Sequence, residues 1–212
     1  EILKPWFKNS DIHRWETSSS TTEKLIYADK RLFNLENNKL KEHLQKFKKI
    51  LDNSTDNSPY LHRPRDISFD SKKIVAPQRS SQNIFGYNEI PWYASADVYF
   101  ITKKDKSISL KYVLALLNSK LYYVWFYYRG KRKGESLELY QKPLSEVPIK
   151  KIPESAQRPF IEVVDKILAI KKRNHQADTS ALEREIDNLV YKLYDLTPAE
   201  ISIIEGNFKE EK

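Results

Sequence analysis

Cysteine and methionine are both absent from this chain of 212 residues. Without cysteine there is no disulfide framework and no thiolate metal site, which is compatible with a reducing cytosol and a cytoplasmic location. Glycine is scarce, at positions 86, 130, 134 and 206 only, so no glycine-rich loop for a nucleotide cofactor can be assembled. The four histidines, His13, His43, His62 and His175, have no ligand-like spacing, which argues against a zinc site. Long apolar runs are lacking too. The longest, Leu110 to Tyr128, is interrupted by Lys111, Asn118, Ser119 and Lys120, so it predicts a buried helix and not a membrane span. The first residues are polar, aromatic and charged, unlike a signal peptide. A chain that opens at Glu1 with no methionine anywhere reads as a fragment of a longer protein.

What is present is charge. Thirty-seven Lys and Arg stand against twenty-nine Asp and Glu, a net of +8. The excess is uneven: from Gln176 onward nine acidic residues face four basic ones, so residues 1–175 carry a surplus of thirteen positive charges. A basic body with an acidic tail points to a polyanionic partner, although a basic surface serving only solubility would have the same composition.

The apolar pattern gives the organisation. Leu40, Leu44, Phe47, Ile50 and Leu51 recur at helical spacing and predict an amphipathic helix over 38–52. Short strands are expected at 24–28, 72–76, 83–87, 97–102 and 137–140. Residues 109–129 predict one buried central helix with Ser109 as its N-cap. Pro143 and Pro148 punctuate an extended segment that closes the globular part. Beyond Pro153 two apolar stripes, from Phe160 to Leu168 and from Leu182 to Tyr194, predict an antiparallel helical hairpin. Thr197-Pro198-Ala199-Glu200 is a capping box that starts a last short helix. The fold class is therefore mixed α/β (α+β): a small mixed sheet packed by a buried central helix, followed by a C-terminal helical hairpin. The expected division is a recognition domain over 1–153 and a helical spacer or docking element over 154–212.

No catalytic constellation emerges. Asn57-Ser58-Pro59-Tyr60 is similar to the Asn-Pro-Pro-Tyr loop of amino-methyltransferases, but serine stands at its second position and an ordinary turn fits equally. Asp66, Asp70 and Lys72 fit a metal-nuclease pattern only as any charge-rich chain would.

Binding features are stronger. Arg63 and Arg65 flank Pro64 on a stiff segment, which offers planar donors for guanine edges or phosphates, or else for Asp66 and Asp70 nearby. Arg79, Ser80, Ser81, Gln82 and Asn83 lie between two predicted strands and form the base-reading candidate, with a plain polar turn as the alternative. Arg129, Lys131, Arg132 and Lys133, set around Gly130 and Gly134, read as a phosphate-gripping loop or a solvated charge run. The aromatic series from Tyr122 to Tyr128 could stack bases but falls on the predicted core helix.

Several ordered pieces carry a family resemblance: Lys4-Pro5-Trp6-Phe7, Asp11-Ile12-His13-Arg14-Trp15, Arg63-Pro64-Arg65 and Lys73 to Ser80. Ser95 to Ile101, Leu116 to Leu121 and Pro143 to Ile149 complete the set. Together they resemble the TaqI-like C-terminal specificity domain of adenine-N6 DNA methyltransferases and of type IIG restriction–modification enzymes. The Leu-Leu-Asn-Ser-Lys and Pro-Leu-x-x-Val-Pro-Ile pieces are also similar to recognition domains of type I specificity subunits.

The resemblance implies a non-catalytic target-recognition domain that binds double-stranded DNA for an N-terminal methyltransferase domain, with or without endonuclease activity in the parent. S-adenosylmethionine would belong to that absent domain, with no cofactor in this chain. Half of a type I specificity subunit, or a protein-interaction module with incidental charge, are the alternatives. RNA binding is disfavoured because the aromatic residues lie on a helix and not on an open sheet.

Overall fold

The computed structural model describes residues 3–27, 38–47, 69–95 and 97–206. Its centre is β4 (Lys73–Pro77), a β-branched run buried along its whole length. Period-two alternation sends its side chains to two different cores. Ile74 and Ala76 join the larger one, while Val75 joins Phe7, Ile12, Trp92 and Val98 in the smaller. Antiparallel partners flank β4 on both sides, β6 (Gly86–Asn88) and β8 (Val98–Ile101), and β2 (Trp15–Glu16) adds to β6 in parallel. Gly86 is required there: a Cβ would lie 2.4 Å from the Glu16 carbonyl oxygen.

A second sheet has the order β3-β1-β7, from Lys24–Ile26, Leu3–Phe7 and Tyr93–Ala94. It is tied in by Phe7 stacking on Trp92 at 4.7 Å. The third sheet, β5-β10-β9, from Arg79–Ser80, Ser136–Glu138 and Lys131–Lys133, carries the candidate site. Predicted strands at 72–76 and 97–102 are found nearly in place, whereas the 83–87 strand starts later, at Gly86.

The predicted central helix is two helices, α2 (Leu110–Leu117) and α3 (Lys120–Arg129). Ser109 caps the first as expected, accepting from the Lys111 N–H. Ser119 takes an extended conformation and caps the second through the Tyr122 N–H. The apolar pattern runs straight through the break, which is why periodicity alone misses it.

The segment expected to be extended around Pro143 instead forms α4 (Gln141–Glu146). Pro143 stands in its first turn, where a missing N–H leaves no hydrogen bond unmade. Of the helix expected over 38–52, α1 (Asn38–Gln45) is present with Leu40 and Leu44 buried, and residues 48–52 lie outside the described residues.

The helical hairpin is α5 (Glu154–Arg173) and α6 (Ser180–Leu193), followed by α7 (Pro198–Gly206). The Thr197/Glu200 capping box closes in both directions. Phe160, Val163, Val164 and Ile167 of α5 and Ile186 and Val190 of α6 enter the same cluster as Ile74, Leu114 and Phe126. The larger core therefore runs without a break across position 153. Each such side chain contributes about 1.5–3 kcal/mol. The exposed Lys111–Asp165 ion pair beside them contributes at most about 1 kcal/mol, so apolar burial holds α5 in place.

Polar groups at the α2–α3 break are buried and fully used. The Asn118 side chain accepts from the Phe85 N–H (3.1 Å) and donates to the Phe85 carbonyl (2.9 Å), as a neighbouring strand would. Asn83 donates to the Leu117 and Ser119 carbonyls at 2.7 and 2.8 Å. Arg14 donates to the Asn83 carbonyl (3.0 Å), to the Asn118 carbonyl and to Glu183 (2.8 Å). Asp187 of α6 accepts from the Lys120 N–H at 2.8 Å, the first free donor of α3. Burial pushes the Asp187 carboxyl up to about 6, against the pull of that N–H. Elsewhere, Lys73 is wholly buried with four oxygen acceptors within 3.0 Å, and burial pulls its amine down to about 8.

Asn118→Ala strands the Phe85 N–H, while the Phe85 carbonyl keeps the Trp15 N–H at 2.9 Å. Urea unfolding should show a loss of about 1–3 kcal/mol with an unchanged slope; a loss below about 0.5 kcal/mol would remove Asn118 from that role. Asp187 has a raised folded pKa, so the folded state binds the extra proton and the penalty of the charged form is relieved as pH falls through about 6 toward 3.8. Asp187→Asn should therefore be more stable than wild type near neutral pH, by up to about 2 kcal/mol, with the difference shrinking on acidification.

Candidate nucleic-acid interface

The last turn of α3 meets a strand directly. Gly130 donates to the Phe126 carbonyl at 3.0 Å, and a Cβ there would lie 2.3 Å from that same oxygen. The chain then enters β9 (Lys131–Lys133), turns at Gly134 in the left-handed region (φ 60°) and returns as β10 (Ser136–Glu138). The basic run expected as a flexible loop is thus a helix end and a hairpin strand. β10 pairs on its other side with β5 (Arg79–Ser80).

Register decides the chemistry. Glu138 lies opposite both Lys131 and Arg79, so the three form one row across the sheet. Leu137 lies opposite Arg132 and Ser80, and points into the core. Two segments about fifty residues apart in sequence are thereby neighbours in space.

Glu138 is the anchor of this row. Its side chain is only 4% exposed, against 47% for Arg79 and 69% for Lys131. One carboxylate oxygen accepts from Arg79 Nε at 3.1 Å and from the Tyr140 hydroxyl at 3.2 Å, and the other lies 3.3 Å from Lys131 Nζ. Arg79 Nη2 also donates to Tyr140 at 3.1 Å. Burial pushes the Glu138 carboxyl up. The Lys131 ammonium beside it, the Tyr140 hydroxyl and the Arg79 bond outweigh it and hold the carboxyl below its ordinary range.

The Nε/Nη2 edge of the guanidinium is therefore tethered, while Nη1 has no partner among the described residues. A planar donor group held by one edge presents its other edge in a fixed direction, as bidentate recognition of a guanine or phosphate demands. Lys131 Nζ also sits 5.3 Å above the Tyr140 ring, and the Arg132 guanidinium 3.9 Å above Tyr127.

Of the residues singled out in the sequence, Arg79, Ser80, Ser81 and Gln82 are brought beside Lys131, Arg132 and Lys133, with Ser81, Gln82, Arg132 and Lys133 exposed. Arg129 is exposed at the end of α3. Asn83 departs from the expected base-reading role: it is 3% exposed and its amide is bound to the two carbonyls at the α2–α3 break. Arg63 and Arg65 lie outside the described residues, as does Asn57 to Tyr60.

Glu138 and Tyr140 went unnoticed in the sequence. Their signal was a single carboxylate on an alternating strand, Ser136-Leu137-Glu138-Leu139-Tyr140, just after a basic run. On α3, Tyr122 and Phe126 are core residues, but Tyr128 is 67% exposed beside the basic hairpin.

Residues 4–149 match the TaqI-like C-terminal specificity domain. The chain belongs to that family. This specificity domain is 33% identical over 92 residues to the type II methyltransferase M.HincII of Haemophilus influenzae, covering 41% of this chain and 18% of that protein. The type II methyltransferase M.HindII of Haemophilus influenzae strain KW20 / Rd gives the same identity and coverage. The chain thus spans about 18% of the length of the curated relatives it matches.

Each glycine has a place in the fold: Gly86 and Gly130 at close backbone approaches, Gly134 at a hairpin turn, and Gly206 at the end of α7.

Glu138→Ala should free the Arg79 side chain: the Arg79 Nε proton should exchange measurably faster by NMR than in the wild type. Unchanged protection would place the anchor elsewhere.

Proposed function

We propose that this specificity domain is the DNA target-recognition domain of a restriction–modification methyltransferase. It engages double-stranded DNA through the β5-β10-β9 sheet. The observation that carries this reading is the Glu138-anchored row, which fixes Arg79 and Lys131 side by side with outward-facing donors.

Division of labour follows from the chemistry of each group. Lys131, Arg132, Lys133 and Arg129 neutralise phosphates and set register, without regard to sequence. Arg79, backed by Ser80, Ser81 and Gln82, reads base edges in the major groove. Methyl transfer to adenine N6, and any cleavage, fall to a catalytic domain outside this chain. Similarity to two proteins named type II methyltransferases supports this reading over a type I specificity subunit or an interaction module.

Two substitutions separate the roles. Arg132→Ala should weaken binding to every duplex and reduce the slope of log K against log salt by about 1. Arg79→Ala should lower discrimination at one base-pair position by roughly ten- to hundredfold, read from a panel of single-substituted duplexes. Equal losses for Arg79→Ala on cognate and random DNA would end its reading role.

A further inference from the structure

At the far end of β4 from Arg79 there is an open groove of about 730 Å3. Its walls are the start of β4, the loop after β8 and the first turns of α2 and α5. Lys72, Lys103, Lys106, Lys111 and Arg158 line it, against only Glu89 and Glu154.

The cations are not all committed. Lys72 pairs with Glu89 at 3.0 Å and Lys111 with Asp165 at 2.5 Å, both as surface pairs that a phosphate can displace. Lys103 Nζ reaches only the Lys106 carbonyl, at 3.4 Å. Lys106 and Arg158 have no side-chain partner among the described residues, and both are exposed. α2 starts at the same wall, and the positive end of its dipole adds to the potential.

Spacing bounds the footprint. Lys72 and Arg79 are seven residues apart, which in extended chain is at most roughly 23 Å. Phosphates along one strand of B-DNA repeat every 3.4 Å or so, so the two places lie within about seven base pairs of each other. The groove offers several cations on one concave wall, which suits a run of phosphodiesters.

We propose that this groove grips the phosphodiester backbone of duplex DNA flanking the recognised bases, within about seven base pairs of them. The inference rests on the recognition reading given above, and assigns a second contact surface to it.

The test compares the full 212-residue chain with a Lys103→Gln/Lys106→Gln/Arg158→Gln variant on mixed-sequence duplexes of about 8 and about 24 base pairs. On the longer duplex the variant should lose affinity about tenfold, with a salt slope shallower by about 2–3; on the shorter duplex it should match the wild type. An unchanged slope on the long duplex overturns the groove contact, as does an equal loss on both lengths, which would reduce these cations to a general field. Arg132→Ala serves as the comparator. If it weakens binding on both lengths while the triple variant does nothing, only the groove falls. If the wild type binds neither duplex, the recognition reading falls with it.

Discussion

The side-chain amide of Asn118 stands in for a piece of backbone. It satisfies both polar atoms of Phe85 at a point where two helices end and begin inside the core. Interrupting a buried helix leaves carbonyls and N–H groups that water cannot reach, each a liability of about 1–3 kcal/mol if unpaired. Arg14, Asn83 with Phe85, and Asp187 come to this one place from three different parts of the chain because those groups must be met. The N-terminal segment, the loop after β5 and α6 are thereby pinned to the same centre. Asn83 is four residues from Arg79, so the geometry that fixes the core also fixes one end of the recognition segment.

Much of the fold was legible because local signals and tertiary packing agree. The Ile74-Val75-Ala76 run, the Ser109 cap, the two amphipathic stripes after Pro153 and the Thr197/Glu200 box all mean the same thing alone as in context. The α2–α3 break was not legible from hydrophobic period, since Leu116, Leu117, Leu121 and Tyr122 keep it going. The capping chemistry of Asn118-Ser119 was in plain view but reads equally as polar residues on a long helix. Pro143 misled in the other direction, because proline is a breaker within a helix and neutral in its first turn.

The candidate site was half legible for a related reason. Residue types suitable for phosphates and base edges can be seen in a sequence, so Arg79 and Lys131 to Lys133 could be singled out. Their adjacency depends on the register of β10 between two other strands, a long-range property no local window contains. Burial is equally hidden: Asn83 and Gln82 have nearly the same chemistry, yet one is sealed in the core and the other is exposed. The matched family region ends at residue 149, while the core continues through Ile167 and Val190. The helices beyond the matched region therefore belong to the body that holds the β5-β10-β9 sheet.

The order β5-β10-β9 leaves β9 as a terminal strand among the described residues. A bare strand edge is a template on which another copy of the chain can extend the sheet, the first step of aggregation. Here that edge is built from Lys131, Arg132 and Lys133, so an approaching identical edge would meet like charges at every residue. The same three cations that suit the strand to a polyanion keep it from pairing with itself. Neutralising them would thus carry a second effect, the loss of a guard on solubility.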